Sequence, residues 1–200
     1  MIRNLIAAII LFISFNSSAQ NTQESIIFNI IHKNKVIGSL KAEKIVKDSC
    51  TNYKSITHIN TRIIKKIQVI HEYEVTFKNQ QLTKAKVNIS VNNKQQAKTV
   101  TAWKQNTYQV FKNEKYQKSI SQSITYATIQ LYFEEPKNVS NCYSEQNGDN
   151  NSIIDMGNHV YKKINTKNNE NQYYYENGQL TKATIDGGLI NFEIVRQTAP

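Results

Sequence analysis

The stretch Ile67–Val91, IQVIHEYEVTFKNQQLTKAKVNISV, decides the fold. In it Ile67, Val69, His71, Tyr73, Val75 and Phe77 alternate with Gln68, Ile70, Glu72, Glu74, Thr76 and Lys78. A spacing of two puts one set of side chains on one face of an extended strand, whereas a helix would need spacings of three and four. After the polar break Asn79-Gln80-Gln81, the positions Thr83, Ala85, Val87, Ile89 and Val91 continue the apolar face against Lys84, Lys86, Asn88 and Ser90. Two alternating runs joined by a short polar turn predict a β-hairpin.

Outward from this hairpin the same pattern recurs. Ile26–His32 and Val36–Val46 flank the turn Lys33-Asn34-Lys35, and Tyr53, Thr57, Ile59 and Ile63 mark the next strand. Further strands are expected at Gln95–Trp103, Thr107–Lys112, Val139–Ser144, His159–Ile164, Gln172–Glu176, Leu180–Asp186 and Leu189–Arg196. Turn signals such as Asn92-Asn93, Asn177-Gly178 and Gly187-Gly188 separate them. The segment Phe77–Val87 is echoed by Tyr175–Ile185, with Asn, Gln, Leu, Thr, Lys and Ala in matching places. That echo reads either as a duplicated half-sheet or as repeated hairpin chemistry. The one candidate helix lies near 121–130, where Ile124, Ala127, Thr128 and Leu131 follow helical spacing, although Tyr, Thr and Ile favour strands. The expected fold is therefore mainly β: one antiparallel meander of about a dozen strands. With almost no helix to cover its apolar face, the sheet must curve or form a barrel or half-barrel.

The start of the chain reads as an address. Arg3 precedes an apolar run from Leu5 to Ile13, and the small residues Ser17, Ser18 and Ala19 follow. A basic start, a short apolar core and small residues are the parts of a secretory signal peptide. Residues 1–19 are expected to be removed between Ala19 and Gln20, leaving a protein exported to the periplasm or the extracellular space. A short polar segment, 20–25, then leads into a single β domain over 26–197. No second apolar stretch is long enough to span a bilayer, so a membrane-spanning mature protein is not expected.

The chain carries 25 Lys and Arg against 15 Asp and Glu, a net charge of +10. Nearly all of it is lysine, the arginines being Arg3, Arg62 and Arg196, so the bidentate fork used for specific phosphate or base recognition is scarce. Nucleic acid is not an expected partner. Lysines dispersed on the polar face, such as Lys84, Lys86 and Lys98, read as a solvated surface that protects strand edges. Alternatively they attract an anionic envelope component by summed charge.

Motifs for chemistry are missing. His32, His58, His71 and His159 form no ligand pair, and there is no Cys-x-x-Cys, Gly-x-Ser-x-Gly, phosphate loop or dinucleotide fingerprint. Asp149 and Asp155 resemble a calcium loop only loosely, without its terminal Glu. No metal or cofactor is expected, and an enzyme would need a cleft joining Glu134 or Glu145 to His159. Glu134 and Glu135 are adjacent, so on an extended segment they point to opposite sides, one at a rim and one in solvent. Cys50 and Cys142 either form a disulfide, closing a loop for about 4 kcal/mol, or stay as half-buried thiols. Tyr126, Tyr132, Phe133, Tyr143, Tyr161 and Tyr173–Tyr175 read as core and cross-strand pairs, or as the lining of a cavity for a lipid-like or amphipathic molecule. In that second case the cavity residues are expected to be Tyr73, Val75, Val87, Tyr173, Tyr175 and Ile185.

Several blocks together carry a resemblance. They are Phe28-x-Ile30 with Val36-Ile37-Gly38, Leu131-Tyr132-Phe133-Glu134-Glu135-Pro136, Tyr143-Ser144-Glu145 with Gly148, and Tyr175–Leu180. The chain resembles a family of small exported bacterial proteins known only as a domain of unknown function. The resemblance implies a signal peptide and a single antiparallel β domain, and it supplies no catalytic residues. In general look the chain is also similar to envelope proteins whose curved sheet cradles a lipid or acyl chain, an analogy of fold alone.

Overall fold

The computed structural model describes residues 21–62, 66–187 and 190–197. The expected signal peptide, its cleavage point, Ile63, Gly188 and Leu189 lie outside the described residues. Fourteen strands run through the described chain. They are β1 (Thr22–His32), β2 (Lys35–Lys47), β3 (Cys50–Arg62), β4 (Lys66–Lys78), β5 (Gln81–Val91), β6 (Lys94–Lys104) and β7 (Thr107–Lys112). Then come β8 (Lys115–Ile120), β9 (Asn141–Ser144), β10 (Asp149–Asp155), β11 (Val160–Ile164), β12 (Glu170–Glu176), β13 (Gln179–Asp186) and β14 (Asn191–Arg196). They form one antiparallel sheet in the order β8-β7-β6-β5-β4-β3-β2-β1-β14-β13-β12-β11-β10-β9. It is a meander throughout, except that β1 and β14 pair in its middle, with Ile30 opposite Ile194.

The hairpins close as their residues dictate. Lys33-Asn34, Asn79-Gln80, Asn92-Asn93, Gln105-Asn106 and Asn113-Glu114 have positive φ at both positions. That backbone twists with the strands it joins, and asparagine adopts it at low cost. The turn after β4 is thus Asn79-Gln80, and Gln81 already belongs to β5. The repeated sequence is a repeated structure. In the β4–β5 and β12–β13 hairpins the register shifts at matching places, Thr76/Phe77 and Tyr174/Tyr175. In each a threonine hydroxyl donates across the shift, Thr83 to the Thr76 carbonyl (3.0 Å) and Thr181 to the Tyr174 carbonyl (3.1 Å).

Two strands depart from expectation. Strand β8, KYQKSI, is an exposed edge, and β10, DNNSIID, is largely polar, so neither shows strong alternation of apolar residues. The polar stretch before Ile26 is also sheet. Thr22 to Ser25 pair with Val46 to Glu43 of β2, so backbone hydrogen bonds rather than buried side chains hold it.

Edges β8 and β9 do not pair, yet the sheet curls until its two ends meet through side chains. Thr101 and Tyr143 hydroxyls share a hydrogen bond of 2.7 Å, and Thr99 Oγ1 donates to the Gln146 carbonyl at 2.8 Å. Lys118 of β8 pairs with Asp149 of β10. Gly148 lies so close to β7 that a Cβ there would stand 2.6 Å from Val110 Cγ1.

The β8–β9 connection, residues 121–140, plugs one end of the curled sheet. Its candidate helix is instead an extended run, with a 3-10 turn only at Thr128–Tyr132. Gln130 explains why: its Oε1 accepts from the Ala127 N–H at 2.8 Å, which fixes a tight turn, while Ala127 makes a bridge to Tyr143. Ile124, Ala127, Ile129, Leu131 and Phe133 are buried by this plug. Leu82 N–H donates to the Ile124 carbonyl, and Tyr175 Oη to the Leu131 carbonyl at 2.8 Å. The Phe133 ring packs 5.5 Å from that of Tyr53.

Candidate ligand cavity

The plug packs into the core at one end of the curled sheet, and a hollow remains beside it. A cavity of about 490 Å³ remains, within the range of small-molecule sites. Ile30, Leu40, Ile59, Val69 and Ile89 form its apolar wall, with Ile194 beside them. Tyr73 and Tyr173 bring their rings to it, and His71 lies between Val69 and Tyr73 on the same face of β4. Burial holds the His71 imidazole below its ordinary pKa, so the neutral form that suits an apolar wall is favoured.

Its floor, where the hollow meets the plug, is polar. Glu145 is 1% exposed, and its Oε1 accepts from the Ile129 N–H of the plug at 3.0 Å. Its Oε2 has no protein hydrogen-bond partner, and neither has Oδ1 of the buried Asn151. Lys163, also buried, donates from Nζ to Thr128 Oγ1 at 3.2 Å. Asn165, Asn169, Asn171 and Asp186 line it on the side of β11–β13.

Burial raises the pKa of Glu145 above its usual 4.5, although the Ile129 N–H and nearby Lys163 act in the other direction. With the folded value above the unfolded one, the carboxyl's contribution to stability is complete below pH 4.5 and is lost as the pH rises through the folded value. Glu145→Gln keeps the oxygen that receives the Ile129 N–H and removes the buried charge. We expect it to melt above the parent at pH 8, where the parent carboxyl's contribution has been lost. The advantage should shrink toward pH 4.5. Calorimetry at both pH values checks the sign, and a difference that grows in acid would contradict it.

Of the six expected cavity residues, Tyr73, Tyr173 and Ile185 line the hollow. Val75, Val87 and Tyr175 do not. Val75 and Tyr175 sit one strand period nearer the plug and are 2% and 4% exposed, while Val87 is enclosed between Tyr73 and Thr99 in register. The two thiols are unpaired. Cys142 is buried beneath the plug, its thiol near Thr128 Oγ1 and its pKa pushed up to about 12 by burial. Cys50 stands at the start of β3, opposite Lys47 and Lys78.

Glu134 and Glu135 do diverge, but both find partners. Glu134 receives Lys44 Nζ (2.8 Å) and Tyr53 Oη (3.1 Å). Glu135, its side chain 2% exposed, receives Tyr161 Oη and pairs with His159 Nδ1, both at 2.8 Å. His159 therefore meets Glu135, and neither Glu134 nor Glu145. These two carboxylates fasten the plug to opposite hairpins. Asp149 and Asp155 stand at opposite ends of β10, the first paired with Lys118 and the second closing a turn on the Gly157 N–H. Among the described residues no three His, Cys, Asp or Glu side chains gather as metal ligands.

Asn151, Thr128 and Lys163 line the cavity without being among the expected cavity residues. For Lys163 the signal was present: in VYKKI it shares the inward face of Tyr161, which a solvated lysine would not.

The class that this architecture defines is an open, barrel-like antiparallel sheet with a plugged end and a hollow beside the plug. The chain belongs to the family described as a domain of unknown function, DUF6134, which it matches over residues 28–197. No curated protein matches it significantly. Among solved structures it is similar to a β-barrel-like protein of a domain of unknown function, DUF1849, from Brucella abortus. The likeness has a TM-score of 0.52 at 8% identity and covers 90% of this chain and 98% of the other. It is a likeness of fold.

Proposed function

We propose that this protein is a non-enzymatic binding protein of the cell envelope or its surroundings, which holds an apolar or amphipathic molecule in the hollow of its sheet. The observation that carries the reading is the cavity itself: a curved wall of isoleucine, leucine, valine and tyrosine above a floor with unpartnered polar atoms. Apolar wall area supplies affinity, and a few placed polar groups supply orientation. Residues 1–19 support the location, since a basic start, an apolar core and small residues before Gln20 are what the export machinery reads.

One experiment tests both parts. The protein is recovered from the periplasm or medium of its own cells and its mass is recorded under native and denaturing conditions. The expected denatured mass is that of a chain beginning at Gln20, and the expected native mass exceeds it by a small molecule. A chain retained in the cytoplasm with residues 1–19 would overturn the location. Equal masses, together with no uptake of an apolar fluorescent probe, would overturn the binding role.

A further inference from the structure

The cavity floor specifies the head group of its ligand. We infer that the ligand is a single-chain amphiphile with an uncharged, hydroxyl-bearing head of the glycerol type, inserted head-first toward the plug. This rests on the binding role proposed above. Two oxygens, Glu145 Oε2 and Asn151 Oδ1, are buried at the floor without a protein partner, and each calls for a donor. Lys163 supplies the complementary need, since its Nζ gives one hydrogen bond, to Thr128 Oγ1, and has further N–H groups to give. A vicinal diol with an ester carbonyl matches both: its hydroxyls donate to the two oxygens and its carbonyl accepts from the ammonium.

Charge argues the same way. The floor already buries one carboxyl and one ammonium, so an uncharged head adds no further charge to be desolvated. A fatty-acid carboxylate would gain Lys163 but would set an anion beside Glu145 and give neither orphan oxygen a proton. An alkylammonium would satisfy the oxygens but crowd Lys163. The hydrocarbon tail then lies along Ile59, Val69 and Ile89, toward the end of the sheet that the plug leaves unfilled.

The test is displacement of N-phenylnaphthylamine from the purified, lipid-stripped protein at pH 8 by monolaurin, laurate and dodecylamine, which share one tail. Monolaurin should displace the probe at a concentration at least tenfold below the other two. Asn151→Leu should weaken monolaurin about tenfold and leave laurate unchanged. Glu145→Gln, whose amide can donate to a carboxylate, should bring laurate within threefold of monolaurin. Equal displacement by all three, or a preference for laurate or dodecylamine, would overturn the inference and leave the binding role standing. Failure of the probe itself to bind would remove both. The comparison of the three ligands on the parent protein needs no variant, so a variant that fails to fold does not blunt it.

Discussion

Val75→Asp abolishes folding, and Glu74→Lys, one residue away, leaves a folded protein. Val75 is 2% exposed in the middle of β4, opposite Tyr53 of β3 and Ala85 of β5. Replacing it forfeits about 1.5–3 kcal/mol of apolar burial. It also buries a carboxylate with no partner, for a further 3–5 kcal/mol or so. Together these approach the roughly 5–15 kcal/mol that holds a domain of ordinary stability. Glu74 is exposed on the other face, opposite Lys54 and Lys86. A lysine there adds like-charge repulsion across two ladders, about 0.2–1 kcal/mol for each pair. Far-ultraviolet circular dichroism and urea titration separate the two outcomes; equal tolerance would refute the assignment of faces.

Gly38→Ala should lower the melting temperature by about 6–12 °C, equivalent to about 3 kcal/mol in a domain of this size. Gly38 lies in β2 opposite Ile59, where a Cβ would overlap the carbonyl oxygen of His58 and stand 3.0 Å from Ile59 Cα. Both atoms are backbone, so no side chain can swing aside, and β2 and β3 must separate. Separation there spreads the cavity wall, since Leu40 and Ile59 flank the contact. Thermal melting of the purified variant measures the loss, and a melting temperature within 2 °C of the parent would show that the strands yield at little cost.

Alternation made most of the sheet legible. Ile67–Val91 declares its two strands because each buries one face, and the lysine and asparagine between them need only water. Strands β8 and β10 were hidden for the opposite reason: an exposed edge has little need of an apolar face, and a polar strand is held by its ladders. The site was half legible. Period two tells which residues point inward, and all six expected cavity residues do, but it cannot tell filled interior from hollow interior. Tyr73 and Val75 share a face and differ only in how far the plug reaches, which depends on residues 121–133 folding back across the whole sheet. The same long-range contact encloses Cys142 and gives Glu145 its backbone donor. No local pattern near either residue records it.

The pairing of β1 with β14 sets the order in which this protein can be assembled. Strands β1–β8 can form a meander while the rest of the chain is still being supplied, and β9–β14 can form a second. Until β14 is in place, however, β1 keeps one bare edge in what will be the centre of the sheet, and β13 keeps another. Long-range strand pairing of this kind is slow because the intervening chain must first be brought together. Strand β14, the last of the described strands, is therefore the keystone. Loss of the C-terminal residues, from β14 onward, would split the sheet at its middle and uncover two adhesive edges on each molecule, so that truncated chains join to one another where β14 should lie.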